Sequence, residues 1–173
     1  MNICNEKFLA DVVRVYPLSA GQIDFALPET VRNNTVTLAD LGFANLAALE
    51  QFLVGKTRFT TVDADNETMP MPLDESPDIK VDTVVERMGH VYDISIGLRT
   101  LQFTSAEKAV VKQMERSGHD YILERIDGSY SLVRNFTPAQ LVTHTEIERE
   151  GEHYADISIK MRNVTGIQDI EED

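Results

Sequence analysis

Four histidines, His90, His119, His144 and His153, are the side chains of this sequence best suited to metal binding or proton transfer near neutral pH. None falls in an H-x-x-x-H or H-E-x-x-H spacing, which would place two imidazoles on one helix face. His90 and His153 open two similar stretches and would lie close together if those stretches paired; two surface histidines at strand starts is the plainer reading. In DADNET, residues 63–68, Asp63, Asp65 and Glu67 alternate as in the first half of a calcium loop. The glycine of the sixth position is missing, and Asp74 stands where the bidentate glutamate of the twelfth belongs. Glu146, Glu148, Glu150 and Glu152 form an alternating acidic row, which reads as a solvated strand face rather than a paired-carboxylate site. There is no G-x-S-x-G, G-x-G-x-x-G or P-loop. With no nucleophile, base and positioning group converging, the sequence predicts a protein that is not an enzyme, with no cofactor and no metal.

Composition narrows the class further. The 173 residues suit a single domain, and 42% hydrophobic content suffices for a real core. Formal net charge is −13, from 16 basic and 29 acidic residues. Such a surface repels nucleic acid and lacks the basic footprint of a DNA or RNA reader. No run of 18 apolar residues is present, so no membrane partner is expected, and the first residues lack the order of a signal peptide. Cys4 is the single cysteine, which excludes an internal disulfide and points to synthesis in a reducing cytoplasm.

Several elements can be placed from pattern alone. Residues 1–16 are ambiguous between a helix (Phe8, Leu9, Val12, Val13, Tyr16 on one face) and a strand, with Pro17 ending either. Residues 18–36 read as irregular chain. Thr37 and Asp40 suggest a helix start, and Leu46, Leu49 and Leu53 with Gly55 carry that helix over roughly 39–54. A Thr- and Val-rich strand follows at 56–63. Residues 64–80, ADNETMPMPLDESPDIK, hold three prolines and five acidic residues, with Met69, Met71 and Leu73 among the few large apolar ones. That is a surface loop or an arm that docks on a neighbouring subunit. VDTVVERM is strand-like. Thr104 and Glu107 form a capping box for a helix ended by Gly118, and Asp127-Gly128 is the two-residue turn of a hairpin. TPAQLVTHTEIERE is a less definite strand or helical turn, and the acidic tail 168–173 is expected to fray.

One pattern recurs. HVYDISIGLRT (90–100) and HYADISIKMRN (153–163) share His, Asp, Ile, Ser, Ile and Arg at a spacing of 63 residues. Each alternates as a long strand, with Ile94, Ile96, Leu98 and Ile157, Ile159, Met161 inward. Asp93, Ser95, Arg99 and Asp156, Ser158, Arg162 then face outward. The likeness is ordinary strand grammar, or else a duplication or pseudo-symmetric strands of one sheet. The predicted fold class is α+β: mainly antiparallel β-sheet, sandwich or barrel-like, with two helices and an extended arm.

The last third of the chain also carries a resemblance. Ile122 to Ile126, Asp127-Gly128, Tyr130 to Val133 and the long strand Ala155 to Met161 resemble the end of small virion proteins of tailed bacteriophages, over about 50 of the 173 residues. The resemblance implies a neck, tail-completion or tail-tube subunit in a virion made in the host cytoplasm. Its partners would be further copies and neighbouring virion proteins, with DNA passing through a ring without specific binding. It transfers no catalytic residues. The interface candidates are Met69, Met71, Leu73, Asp93, Arg99, Asp156 and Arg162. The alternative class is a monomeric intracellular α+β binding or adaptor protein.

Overall fold

The computed structural model describes residues 12–19, 35–60, 78–86, 89–100, 103–125, 127–135, 140–149, 152–163 and 166–172. Along the chain these form β1 (Val12–Ser19), β2 (Thr35–Thr37), α1 (Leu46–Val54), β3 (Phe59–Thr60), β4 (Asp78–Glu86) and β5 (Gly89–Thr100). Then come α2 (Ser105–Arg116), β6 (His119–Arg125), β7 (Tyr130–Val133), β8 (Gln140–Arg149), β9 (Glu152–Asn163) and β10 (Ile167–Glu171). The architecture is α+β and mainly β. A six-stranded sheet in the order β2-β10-β7-β6-β1-β3 stands against a four-stranded sheet in the order β4-β5-β9-β8. All described pairings are antiparallel except that of β10 with β2.

Alternation explains the layering. In the four-stranded sheet Ile94, Ile96, Leu98, Ile157, Ile159 and Met161 share one face and are buried. They join Val12, Val15, Phe59, Tyr121 and Leu123 of the other sheet in one apolar cluster, completed by Val111 and Met114 of α2. A fully buried side chain of this size contributes roughly 1.5–3 kcal/mol. The six-stranded sheet is buried on its second face too. There Tyr16, Leu18, Ile122 and Leu132 meet Leu49 and Leu53 of α1. A bulge between Val12 and Arg14 turns Val12 and Val15 toward the same cluster although they are three positions apart.

Several expected boundaries move. Pro17 does not end β1, which runs on to Ser19. β3 pairs only Arg14 and Val15, so at Pro17 that flank of β1 has no partner strand among the described residues and a missing N–H costs nothing. Part of the stretch expected to be irregular, 18–36, is therefore strand at both ends. Thr37 and Asp40 do exchange hydrogen bonds (Thr37 N to Asp40 Oδ2, 3.1 Å; Asp40 N to Thr37 Oγ1, 3.2 Å), but they close a turn. The helix starts only at Leu46, capped by Asn45, whose Oδ1 accepts from Ala48 N at 2.9 Å. The strand expected at 56–63 is short, with residues 61–63 outside the described chain. Met69, Met71, Leu73 and the calcium-like segment also lie outside it. Of the expected arm, Asp78 to Lys80 belong instead to β4.

Two ends differ for a chemical reason. Of the acidic tail 168–173, the residues up to Glu171 belong to β10, which lies inside the six-stranded sheet, with Gln168 fully buried and Asp169 accepting from Arg125 Nη2 at 2.7 Å and Ser131 Oγ at 3.0 Å. An acid within reach of an arginine is a partner, not a repelled end. α2 has the capping box, but its C-cap is extended Ser117, whose N–H and hydroxyl both return to Gln113 O, and Gly118 does not have positive φ. In the β6–β7 hairpin, Arg125 N donates to Ser129 O and Gly128 N to Arg125 O. The loop is thus one residue longer than a two-residue turn, with Gly128 at φ 87° as its left-handed position.

Candidate functional site: the outer face of the four-stranded sheet

The two similar stretches are neighbours, β5 and β9, paired antiparallel along their length. Ile96 lies opposite Ile159, its own counterpart in the repeat. Residues before that centre on one strand therefore face residues after it on the other. Asp93 stands opposite Arg162 and Arg99 opposite Asp156. Both are bidentate ion pairs: Arg162 Nε to Asp93 Oδ1 at 2.7 Å and Nη2 to Oδ2 at 3.2 Å, and Arg99 Nε to Asp156 Oδ1 at 2.7 Å and Nη2 to Oδ2 at 3.1 Å. The Arg162 guanidinium holds the Asp93 carboxyl below its ordinary range. The repeat thus has a structural meaning. A strand with an acid three places before an isoleucine and an arginine three places after it is complementary to an antiparallel copy of itself.

The same register separates His90 from His153, because antiparallel pairing sends the two strand starts to opposite ends of the ladder. Among the described residues no group of three or more histidine, cysteine or acidic side chains could hold a metal ion.

Around these pairs the outer face is broad and polar. One open depression of about 340 Å3 lies over Gly97, between Arg99, Thr143, Thr145, Asp156 and Ser158. A second, of about 540 Å3, is lined by Lys80, Asp82, Asp93, Leu141, Lys160 and Arg162. Leu141, on end strand β8, is 59% exposed. Neither hollow encloses a small molecule; both are relief on a surface suited to a wide contact. Of the interface candidates, Asp93, Arg99, Asp156 and Arg162 come together here, already matched to one another.

Two further polar groupings were not visible in sequence. On the α1 side of the six-stranded sheet, Glu124 Oε2 accepts from Arg14 and from the Tyr16 hydroxyl (3.4 Å), and its Oε1 from the Tyr130 hydroxyl (3.2 Å). Burial first, and the Glu124 carboxylate next, push both tyrosines up, so they stay protonated and donate. With both oxygens engaged, the carboxylate is a pin and not a poised base. Between the sheets, the Gln140 amide uses every polar position. Its oxygen accepts from His119 N (3.3 Å) and Asn135 Nδ2 (2.8 Å); its nitrogen donates to Met114 O (3.2 Å) and Tyr121 Oη (2.9 Å). That one side chain fastens β8 to α2 and β6. His144 also belongs to this seam, 2.6 Å from Glu115 of α2 and stacked at a tilt on Phe103.

Fold and face together define a two-sheet α+β protein with a wide, polar, internally charge-matched surface. No family model, curated protein or solved structure matches the chain. No helix among the described residues is long and apolar enough to cross a membrane.

Proposed function

We propose that the protein is a non-enzymatic structural subunit of a tailed-phage virion, of the neck or tail type, whose copies join into a ring around the DNA path. The observation that carries this reading is the charge of the outer face. Seven charged side chains can be placed on it: Lys80, Arg99, Lys160 and Arg162 against Asp82, Asp93 and Asp156. The whole chain is at −13. Copies of so acidic a protein repel one another except where the local charge is balanced, and the charges of this face whose side chains are described are nearly balanced. The face is also built on strands of 12 residues, roughly twice the usual length. The acidic remainder is left for a lumen that phosphates pass without sticking. Electron micrographs of the purified full chain, with light scattering over a concentration series, test the reading. Rings or tubes are expected. A strict monomer at high concentration in every salt would favour a monomeric adaptor instead.

A further inference from the structure

On the outer face, the charges of the central strands β5 and β9 include two matched acid–arginine pairs. The charges of end strand β4 are not matched. Lys80 and Asp82 are exposed and make no ion pair among the described residues. Across the ladder Lys80 meets Ser95, and Asp82 meets Asp93, a like charge whose carboxylate is already held by Arg162. Like charges directly opposite destabilise a pair of strands. Asp82 therefore needs a cation on its other flank, where β4 has no partner strand among the described residues.

We infer that this flank of β4 is a joint for a second copy of the chain, pairing β4 with β4 antiparallel about a two-fold axis at Val81. In that register Lys80 faces Asp82 of the second copy, and Asp82 faces its Lys80. Ile79 lies opposite Thr83, and Val81 opposite Val81, which continues the apolar inner row to which Ile79 and Val81 already belong. The axis stands perpendicular to the sheet, so both polar faces stay on one side. The registers centred one residue away are excluded by charge. A centre at Lys80 sets lysine against lysine, and one at Asp82 sets aspartate against aspartate. A centre between residues sets polar positions against apolar ones. The design repeats within one strand what β5 and β9 do together: an apolar centre flanked by opposite charges. Such isologous joints are the commonest in homo-oligomers. Main-chain groups on the flank that has no partner strand among the described residues supply the attraction, and the two ion pairs favour this register over those one residue away.

The inference rests on the reading of the protein as a self-assembling subunit, and it adds that a closed assembly holds an even number of copies. Sedimentation of the full chain tests it with Lys80→Asp, Asp82→Lys and the double exchange. Both side chains are exposed, so each variant should fold, Lys80→Asp melting as the parent does and the two variants with Asp82→Lys slightly above it, because they remove the like charge opposite Asp93. Each single reversal should weaken the dimer by about tenfold or more, since two attractive pairs become repulsive. The double exchange should restore parental affinity. Assembly that no reversal disturbs, or a double exchange as weak as the singles, overturns the joint and leaves the self-assembly reading standing. A parent chain that is monomeric at every concentration overturns both.

Discussion

The two sheets solve the problem of polar residues in opposite ways. The four-stranded sheet keeps its ion pairs on a wet face, where the four paired side chains are 41–51% exposed. Pairs of that kind contribute about 0–1 kcal/mol each and act mainly on register. The six-stranded sheet is covered on both faces at its centre, and most of its polar groups there are sealed in. Glu124 and Arg14 are 14% and 22% exposed, and Gln168 and Ser131 are fully buried. There a polar side chain without its partner carries the full desolvation cost, so each one is tied to a neighbour. One sheet therefore tolerates change on one face, and the other tolerates little on either.

Substitutions of adjacent residues sharpen that contrast most. Ile122 and Leu123 point to opposite faces of β6 and are both fully buried, so Ile122→Ala and Leu123→Ala should each cost about 2–5 kcal/mol by chemical denaturation. In β9, Ile157→Ala should cost a similar amount, but Ser158→Ala on the wet face less than about 0.5 kcal/mol. Equal losses at 157 and 158 would show that both faces of the smaller sheet are covered in the isolated subunit. Next in size is Glu124→Ala, which leaves Arg14 without its carboxylate. A loss of about 1–3 kcal/mol is expected, below the figure for a fully buried pair because the arginine is still partly wet. Smaller still is Arg99→Asp, at about 1 kcal/mol or less, with recovery when Asp156→Arg is added. Failure of the double variant to recover would mean that the pair does more than set register.

The last effect is one of slope. Partial burial pushes Glu107 up to about 7, opposed by its hydrogen bond from Thr104 N. The folded state then holds its proton more tightly than the unfolded chain, whose glutamate titrates near 4.5. The contribution of this group is fully present below about pH 4.5 and is lost as pH rises toward about 7. Glu107→Gln should remove that decline from melting curves recorded over this range.

Sequence legibility followed the same division. Alternation in β5 and β9 revealed which residues face inward, because one wet face writes a period of two into the chain. It also displayed both halves of the Asp–Arg ladder, though not that the halves face each other. The capping box of α2 was local and therefore visible. The six-stranded sheet was harder. β1 is buried on both sides and loses the alternating signature, β10 is too short to show one, and their deciding partners are remote: Arg14 meets Glu124 across 110 positions and Asp169 meets Arg125 across 44. Pro17 and the strand at the start of the acidic tail were not legible, because a strand accepts proline where a flank lacks a partner strand and Asp169 is held by Arg125 and Ser131. Neither neighbour is adjacent in the chain. Gln140 looked like any surface amide, and nothing local marks it as the fastening of three elements.

The self-matching of β5 and β9 also bears on how the chain folds. The hairpins β4–β5 and β8–β9 close locally, whereas the ladder between them joins residues 55 to 71 positions apart and must wait for the intervening α2, β6 and β7. Until then β5 stands open, and its best-matched substitute is another β5: against a second chain, Asp93 meets Arg99 and Ile96 meets Ile96. An unfinished molecule can therefore exchange strands with its neighbour as readily as close upon itself. Refolding at high protein concentration should divert chains into strand-swapped dimers, seen as a concentration-dependent loss of monomer yield, and Arg99→Asp, which sets Asp93 against an acid in the swapped pair, should suppress them.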